Sequence, residues 1–227
     1  MTSTNIFVTG ATGFIGTKLV NELVLQGHTV HALTRAKSNR EGLDHERIKF
    51  VQGDIMNRDS LVAGMKGCTH VFHLAACAKN WASDPKIFFD QNIIGMRNVF
   101  DAAKQSDIQR VVWTSTIVTF GPTAPGFIGD ETMTKITQKY YTEYEETKAI
   151  AEKAALKMAE GGFPVVIVNP KSFAASAPLG FDNGIQFCFF SSTLAPYGEW
   201  IEIKSGYLAI CPGKIQQHAI YKSPCLC

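Results

Sequence analysis

The sequence predicts an α/β fold in which helices cover both faces of a parallel, doubly wound sheet. Segments typical of strands and of helices alternate over residues 1–170 of the 227-residue chain. The strand-like segments are nearly continuous runs of valine, isoleucine and phenylalanine, which indicates strands that are buried on both faces, as parallel strands are. Alternating strands and helices then imply right-handed crossover connections and helices on both sides of one sheet.

The elements follow from the chain in order. The first strand is the apolar run Asn5–Thr9, which leads through a glycine-rich turn into a helix predicted over Gly13–Gln26 and ended by Gly27. Short apolar segments predict the later strands, which are Thr29–Thr34, Ile48–Gln52, His70–Leu74, Arg110–Ser115 and Val165–Val168. Helical patterns between these strands predict the helices Asp59–Met65, Pro85–Ser106 and Thr142–Ala159, the last of which ends at Gly161-Gly162.

Glycine recurs at every third position of the first turn, Thr9-Gly10-Ala11-Thr12-Gly13-Phe14-Ile15-Gly16. Glycine tolerates positive φ and lets backbone N–H groups approach an anion, while the N-terminus of the following helix favours negative charge. A strand, a glycine turn and a helix in this order predict a pyrophosphate site of the Rossmann type. A glycine triplet alone is weak evidence, because many turns are rich in glycine. The residues expected to contact the nucleotide are Gly10, Thr12, Gly13, Phe14, Ile15 and Gly16.

A second signal is the pair Tyr144 and Lys148, which lie four residues apart on a predicted helix. Their side chains therefore share one face, about 6 Å apart along the helix axis. A phenol has a pKa near 10, too high for efficient acid/base work at neutral pH, but a neighbouring ammonium stabilises the phenolate and lowers that pKa. The alternative is an amphipathic helix that exposes a tyrosine and a lysine. Together with the glycine turn, the pair favours a nicotinamide-dependent oxidoreductase.

Several ordered motifs make the chain resemble the extended short-chain dehydrogenase/reductase family. Beyond the two signals above, they are Gly53-Asp54-Ile55, His73-Leu74-Ala75-Ala76, the segment Asn92 to Val99, and Asn169-Pro170. Within that family, the chain looks like the reductase/epimerase/dehydratase group that includes dihydroflavonol reductases, 3β-hydroxysteroid dehydrogenases and plant farnesol dehydrogenases. The resemblance covers residues 3–170.

The resemblance implies a catalytic set around Tyr144. Thr116 stands where the family usually has serine, and its hydroxyl can make the same hydrogen bond. Ser115 is the second candidate, and a threonine that merely suits the end of a strand is the alternative. The resemblance further implies that Lys148 binds the nicotinamide ribose and that Asn92 anchors water or backbone near the active site. The expected chemistry is hydride transfer between nicotinamide and a carbonyl or alcohol, with Tyr144 as the acid/base.

Residues at the ends of the other strands are candidates for the rest of the nucleotide. Asp54 is expected to accept a hydrogen bond from the adenine amino group, although an aspartate after glycine also commonly forms a turn. Arg35 follows the second strand, with no acid before Glu41. A basic side chain there suits a 2′-phosphate, so NADP(H) is favoured over NAD(H), with a solvated basic loop as the alternative. The other expected contacts are Ile55, Leu74, Ala75 and Ala76.

Composition describes a globular protein with 45% hydrophobic and 19% charged residues and a net charge of +2. This charge gives no argument for nucleic acid or an acidic membrane surface as a partner. The sequence offers neither a run of about 20 apolar residues nor a signal peptide. We therefore expect a cytoplasmic protein with free thiols and a small-molecule substrate. The resemblance implies a possible homodimer through the helices Pro85–Ser106 and Thr142–Ala159.

The pattern changes after Pro170. The resembled family continues with a Gly-Pro-Gly-like turn and a substrate-binding lobe, whereas the segment Lys171 to Gly180 lacks that turn and few charged residues follow. We expect residues 1–170 to form the NAD(P)-binding domain and residues 171–227 to form an incomplete or aberrant lobe, a remnant or a replacement. The first functional hypothesis is an NADP(H)-dependent oxidoreductase for a small or medium apolar substrate. A non-catalytic nucleotide-binding protein or truncated isoform is the alternative, and a sugar-nucleotide epimerase or dehydratase is the third.

Overall fold

The computed structural model describes residues 3–121 and 139–170, together with the backbone of residues 202–203 and 208–209. Six of the strands form one sheet: β1 (Asn5–Thr9), β2 (Thr29–Thr34), β3 (Ile48–Gln52), β4 (His70–His73), β5 (Arg110–Thr114) and β6 (Val165–Val168). The strand order is β3-β2-β1-β4-β5-β6, and each neighbouring pair is parallel. The predicted doubly wound sheet is confirmed. Its order reverses between β1 and β4, the place where such folds bind ligands.

Two predicted strands extended one residue too far. Leu74 and Ser115 lie just outside β4 and β5, although the N–H of Leu74 still donates to Thr9 O at 3.2 Å and that of Ser115 donates to Val168 O at 2.7 Å. Hydrogen bonding to the neighbouring strand therefore continues for one residue beyond each strand, as the chain turns away from the sheet. Both turns lie at the carboxyl edge, next to the glycine turn.

The helices are α1 (Phe14–Leu25), α2 (Arg58–Met65), α3 (Lys86–Phe89), α4 (Gly95–Gln105) and α5 (Glu143–Glu160). A π-helical turn, Asp90–Ile94, joins α3 to α4, so the predicted helix Pro85–Ser106 is continuous but wound more loosely in its middle. The start of α5 is fixed by Thr142, whose hydroxyl accepts the N–H of Glu145 at 3.1 Å, as an N-cap does. A short 3₁₀ turn, Ile117–Thr119, follows β5.

The core has two parts, one on each face of the sheet. Phe7, Val71 and Val111 face the side of the sheet on which α2, α4 and α5 pack, and Val8 and Val112 face the side that α1 covers. Each of these strand residues is at most 4% exposed. Burial of such a side chain stabilises the fold by about 1.5–3 kcal/mol, and it explains why the strands are apolar on both faces rather than alternating with polar residues.

Most of residues 171–227 lie outside the described residues, so the expectation of an aberrant lobe stays a prediction. The backbone of Glu202–Ile203 pairs antiparallel with that of Leu208–Ala209. Among the helices that the structure describes, none has both the length and the apolar character needed to span a bilayer. In the same part of the chain, no three metal-ligating side chains gather into a cluster.

Candidate active site

The candidate site lies at the carboxyl ends of β1, β4 and β5, and its first component is the glycine turn after β1. Gly10 has φ of 70°, and a Cβ there would lie 2.7 Å from Ala75 N. A Cβ on Gly16 would lie 2.0 Å from Gly10 O and 2.8 Å from the Cα of Ala11. Both obstacles are backbone atoms, which no side-chain rotation can move. Gly16 thus allows α1 to pack directly on the backbone of the glycine turn.

The start of α1 is open to an anion. Gly13 precedes the helix and is exposed, and the helix has neither a side-chain cap nor an acidic residue in its first turn. The first N–H groups of a helix lack intrahelical partners and carry a partial positive charge. The turn and helix start therefore fit a dinucleotide pyrophosphate. The residues that would hold it are those named from the sequence: Gly10, Thr12, Gly13, Phe14, Ile15 and Gly16.

Asp54 follows β3 and closes a turn. Its Oδ1 accepts the N–H of Met56 at 2.9 Å, while Oδ2 has no hydrogen-bond partner among the described residues. The adjacent Ile55 packs against Gly95, where a Cβ would lie 2.6 Å from Ile55 Cδ1, and Ile55 O accepts a hydrogen bond from Asn98 Nδ2 at 3.0 Å. Asp54 thus adopts the turn geometry of the alternative interpretation, and one carboxylate oxygen remains for an adenine.

The basic loop after β2 begins at Arg35, which is exposed and whose N–H donates to Ser38 Oγ at 3.0 Å. Arg40 donates to Thr34 Oγ1 at 3.3 Å, and its guanidinium carbon stands 4.5 Å from the ring centroid of Phe50. The loop therefore presents two guanidinium groups near the carboxyl end of β2, the strand beside β1. Planar guanidinium groups match the geometry of a phosphate.

The loop after β4 packs on the glycine turn through Thr9 and His73. Thr9 Oγ1 lies 2.7 Å from His73 Nδ1 and accepts the N–H of Ala75 at 3.3 Å. Burial lowers the pKa of His73 to about 3, so this imidazole is neutral at physiological pH. Leu74, Ala75 and Ala76 are half-buried. The histidine thus acts as part of the framework, and the two alanines leave little bulk beside the turn.

Asn92 lies in the π-helical turn and is 3% exposed. Its Oδ1 accepts the N–H of Cys77 at 2.8 Å, and its Nδ2 donates to Cys77 O at 3.2 Å and to Thr147 Oγ1 at 3.0 Å. Asn92 therefore joins the loop after β4 to the first turns of α5. It contacts backbone and Thr147 rather than Tyr144, so its place in the site is that of an anchor.

Tyr144 and Thr116 meet at the carboxyl end of β5. The Thr116 side chain lies near the Tyr144 phenol and favours its ionised form, and Thr116 Oγ1 accepts the N–H of Val118 at 3.5 Å. Burial raises the pKa of Tyr144, while the interaction with Thr116 opposes this shift. At neutral pH the phenol is protonated, which is the form that can donate a proton.

Lys148 lies one helical turn beyond Tyr144 and is 2% exposed. Its Nζ donates to Thr114 O at 2.9 Å and stands 4.4 Å from the ring centroid of Trp113. Burial lowers the pKa of Lys148 to about 7, and the charge of Glu152 opposes this decrease. The ammonium thus titrates close to neutral pH beside the candidate acid.

The structure separates the two hydroxyl candidates. The Ser115 hydroxyl donates to the carboxylate of Glu152 in the interior, whereas the Thr116 side chain lies beside the Tyr144 phenol and influences its pKa. Glu152 also accepts hydrogen bonds from Thr119 Oγ1 at 3.0 Å and from Asn169 Nδ2 at 2.7 Å. The geometry therefore favours Thr116 and gives Ser115 a role in a buried polar network.

The sequence profile of the NAD dependent epimerase/dehydratase family matches residues 6–199. The chain belongs to this family. The match confirms the resemblance inferred from the motifs and places the glycine turn, Thr116, Tyr144 and Lys148 within the part of the chain that is shared with the family.

Named relatives of this epimerase/dehydratase family member include reductases and dehydrogenases. It is 38% identical over 174 residues to a Synechocystis protein that is provisionally named dihydroflavonol 4-reductase, a match that covers 77% of this chain and 49% of the relative. Sterol demethylase protein B of Methylococcus capsulatus is 34% identical, with 72% of this chain and 49% of the relative covered. The chain thus spans about half the length of the curated relatives it matches.

Solved structures agree with the fold of this family member. The crystal structure of UDP-glucose 4-epimerase from Brucella ovis in complex with NAD matches it with a TM-score of 0.64 and 27% identity, over 77% of this chain and 53% of that one. The crystal structure of gox2253 matches with a TM-score of 0.65 and 29% identity, over 74% of this chain and 51% of that one. The Rossmann-type sheet is therefore confirmed by comparison as well as by topology.

The sequence argument missed Glu152, Thr119, Gly95 and Asn98 as components of this family member's site. Glu152 could have been found, because it lies four residues after Lys148 and therefore on the same face of α5. The other three act through contacts with distant segments, which sequence spacing does not reveal.

Proposed function

We propose that this chain carries the site of an NADP(H)-dependent oxidoreductase that transfers hydride between nicotinamide and the carbonyl or alcohol of a small or medium apolar substrate. The observation that carries the proposal is the convergence of Thr116, Tyr144 and Lys148 at the carboxyl end of β5, where the buried Lys148 donates to Thr114 O at 2.9 Å and Thr116 interacts with the Tyr144 phenol. The glycine turn and the open start of α1 lie at the same edge of the sheet and fit the nucleotide.

In this proposal a bound nicotinamide supplies or accepts the hydride. Tyr144 donates its phenolic proton to the substrate oxygen during reduction and takes a proton back during oxidation. Thr116 donates a hydrogen bond to the same oxygen and holds it beside the phenol. We expect the positive charge of Lys148, one helical turn away, to favour the phenolate form of Tyr144 during proton transfer, as the Thr116 side chain also does. Asn92 contributes by holding the loop after β4.

The preference for NADP(H) is part of the proposal and rests on the basic loop. Arg35 is exposed at the end of β2, and Arg40 is held nearby by Thr34 and Phe50. A guanidinium can bind a phosphate through two hydrogen bonds, whereas the ribose hydroxyls of NAD(H) are better served by a carboxylate. We expect these two arginines to hold the 2′-phosphate, and Asp54 to accept from the adenine.

A second candidate is a sugar-nucleotide epimerase, because the structural neighbour from Brucella ovis is a UDP-glucose 4-epimerase in complex with NAD. Epimerisation returns the cofactor to its starting state, so it is distinguished from reduction by product formation without net oxidation of the cofactor. A nucleotide-binding protein without turnover is the other alternative. It would bind the cofactor but leave both substrate classes unchanged.

The possible homodimer also stays a proposal. Phe89 on α3 is 49% exposed and Ile150 on α5 is 44% exposed. The two helices contact one another, so both apolar side chains lie on the pair of helices through which the family resemblance implies pairing. Sedimentation of the purified protein over a range of concentrations measures this association directly.

The proposed function is tested first by equilibrium binding of NADPH and NADH to the 227-residue protein, followed by a panel of aldehydes, ketones and UDP-sugars. We expect tighter binding of NADPH and oxidation of NADPH by an apolar carbonyl compound. In the Tyr144→Phe variant, turnover should fall about 10²- to 10⁴-fold while NADPH binding is unchanged, because only the acid/base is removed. Folded protein that binds neither nucleotide would contradict the proposal, and binding without turnover would support the non-catalytic alternative.

A further inference from the structure

One buried acid near the site has no role in the mechanism above. Glu152 is 6% exposed, and its carboxylate accepts hydrogen bonds from Ser115, from Thr119 Oγ1 at 3.0 Å and from Asn169 Nδ2 at 2.7 Å. A buried charge is costly unless hydrogen bonds and an opposite charge compensate for it. Three donors from two separate segments of the chain, the residues after β5 and after β6, therefore mark Glu152 as the centre of a fixed network.

The network reaches the candidate catalytic hydroxyl through the backbone of Thr116. Asn169 Nδ2 donates to Thr116 O at 3.1 Å, and Thr119 Oγ1 lies 2.7 Å from the same oxygen. Both of these side chains also contact the carboxylate of Glu152. The 3₁₀ turn that begins after Thr116 is thus held to α5 near Glu152. On that helix Glu152 lies eight residues after Tyr144, about 12 Å further along the axis.

We propose that Glu152 is a positioning residue whose carboxylate holds the Ile117–Thr119 turn so that Thr116 meets Tyr144, and whose negative charge balances the buried Lys148. The proposal rests on the proposed function for the roles of Tyr144 and Thr116. The contacts of Glu152 and the position of its charge one helical turn from the buried Lys148 stand independently of any activity.

The charges that face this pair come from two elements. Lys148 and Glu152 lie on α5, and His73 on β4 is neutral because burial lowers its pKa to about 3. Burial raises the pKa of Glu152, while its hydrogen bonds and the charge of Lys148 oppose that increase. Glu152 in turn holds up the pKa of Lys148, which burial alone would take below about 7. Without the carboxylate, Lys148 loses its proton at a lower pH.

The test uses the 227-residue protein and three substitutions in α5. Glu152→Gln keeps the size and removes the charge, Glu152→Asp keeps the charge and shortens the side chain, and Glu146→Gln makes the same charge change at an exposed position of the same helix. Thermal unfolding is followed by circular dichroism at pH 6 and pH 9, without cofactor or substrate.

We expect Glu152→Gln to unfold at a lower temperature than the unsubstituted protein at pH 6, where Lys148 is charged. The difference in unfolding temperature between the two proteins should be about 3 °C smaller at pH 9, because Lys148 is then neutral in both. Glu152→Asp should follow the pH dependence of the unsubstituted protein, and Glu146→Gln should show no pH-dependent deficit. A Glu152→Gln deficit that is equal at both pH values would overturn the charge-balancing role.

If Glu152→Gln does not fold at pH 6, the double variant Lys148→Met/Glu152→Gln decides the question. Removal of both charges should restore folding if Glu152 balances Lys148, whereas a purely steric role for Glu152 predicts no rescue. Failure of the double variant to recover would therefore also overturn the proposal.

A kinetic readout separates positioning from folding. If the unsubstituted protein turns over, Glu152→Gln should lower kcat about ten- to a hundredfold with little change in KM, because Thr116 is displaced from Tyr144. The loss of activity at high pH should move to lower pH by about one unit, and Glu152→Asp should restore its position. An unchanged kcat would overturn the positioning role. If the unsubstituted protein does not turn over, the proposed function fails, and the unfolding data still decide the role of Glu152.

Discussion

Substitution of Gly16 by alanine tests whether the glycine turn holds the nucleotide. The added Cβ would lie 2.0 Å from Gly10 O, and ordinary contact begins at 3.4 Å, so the turn and the start of α1 must separate by 3.4 − 2.0 = 1.4 Å. The obstructing atoms, Gly10 O and the Cα of Ala11, belong to the backbone and cannot rotate away. Overpacking of this kind costs about 1–3 kcal/mol of stability, and a displacement of about 1 Å in a binding site can cost about a hundredfold.

We therefore expect Gly16→Ala to weaken NADPH binding about a hundredfold, as measured by fluorescence titration, and to lower the thermal midpoint by a few degrees. Gly13→Ala should have an intermediate effect, because its Cβ would lie 3.2 Å from Gly10 O and requires only a small adjustment. Gly161→Ala is the matched control, since its nearest contacts are 3.4 and 3.6 Å away. Affinity equal to that of the unsubstituted protein in both turn variants would refute the assignment of the turn.

Three further predictions follow from the geometry of the site. The pKa of Lys148 is about 7 in the folded protein, against an ordinary value of 10.5. Between these two pH values the folded state binds fewer protons than the unfolded state, so the free energy of unfolding increases by about 1.4 kcal/mol per pH unit. In denaturant titrations Lys148→Met should abolish this increase, whereas substitution of an exposed lysine, Lys153→Met, should retain it. Arg35→Glu should lower the ratio of NADPH to NADH affinity at least about tenfold, and an unchanged ratio would remove Arg35 from the 2′-phosphate site. Asn92→Ala leaves the buried N–H of Cys77 without its partner, at a cost of about 1–3 kcal/mol in the free energy of unfolding; urea titration measures this loss, and a difference below about 0.5 kcal/mol would show that the anchor is dispensable.

The sheet could be predicted because each of its strands is an apolar run that ends at a residue unsuited to continue it. Thr9 is followed by a glycine with φ of 70°, and Val168 is followed by Asn169 and Pro170. The ends of β4 and β5 were less certain, since Leu74 and Ser115 continue to bond with the neighbouring strand after the chain has begun to turn. The sequence shows where a run of apolar residues stops, but the geometry of the following turn decides how many further residues form hydrogen bonds with the neighbouring strand.

The site was predictable where its residues are neighbours along one element. Tyr144 and Lys148 share a helix face, so their proximity follows from spacing alone. Spacing could not show that Ser115 points to Glu152 while Thr116 reaches Tyr144, because both residues follow the end of β5 and both contact α5. The path of the chain after the strand, rather than the alternation of side chains along it, decides which part of α5 each residue contacts. The family usually has serine at the position of Thr116, and this convention guided the choice more than any property of the two hydroxyls.

The segment from Asn92 to Asn98 shows why a motif can be recognised without its physical role being understood. In the sequence these residues read as an asparagine-rich stretch of an ordinary helix, although asparagine is a poor helix former. In the fold, Asn92 holds Cys77, Gly95 admits Ile55, and Asn98 binds Ile55 O. The π-helical turn at Asp90–Ile94 places Asn92 against α5 and leaves Gly95 and Asn98 facing the turn after β3. One helical segment therefore fixes the loops after β3 and β4 together, through Asn98 and Asn92.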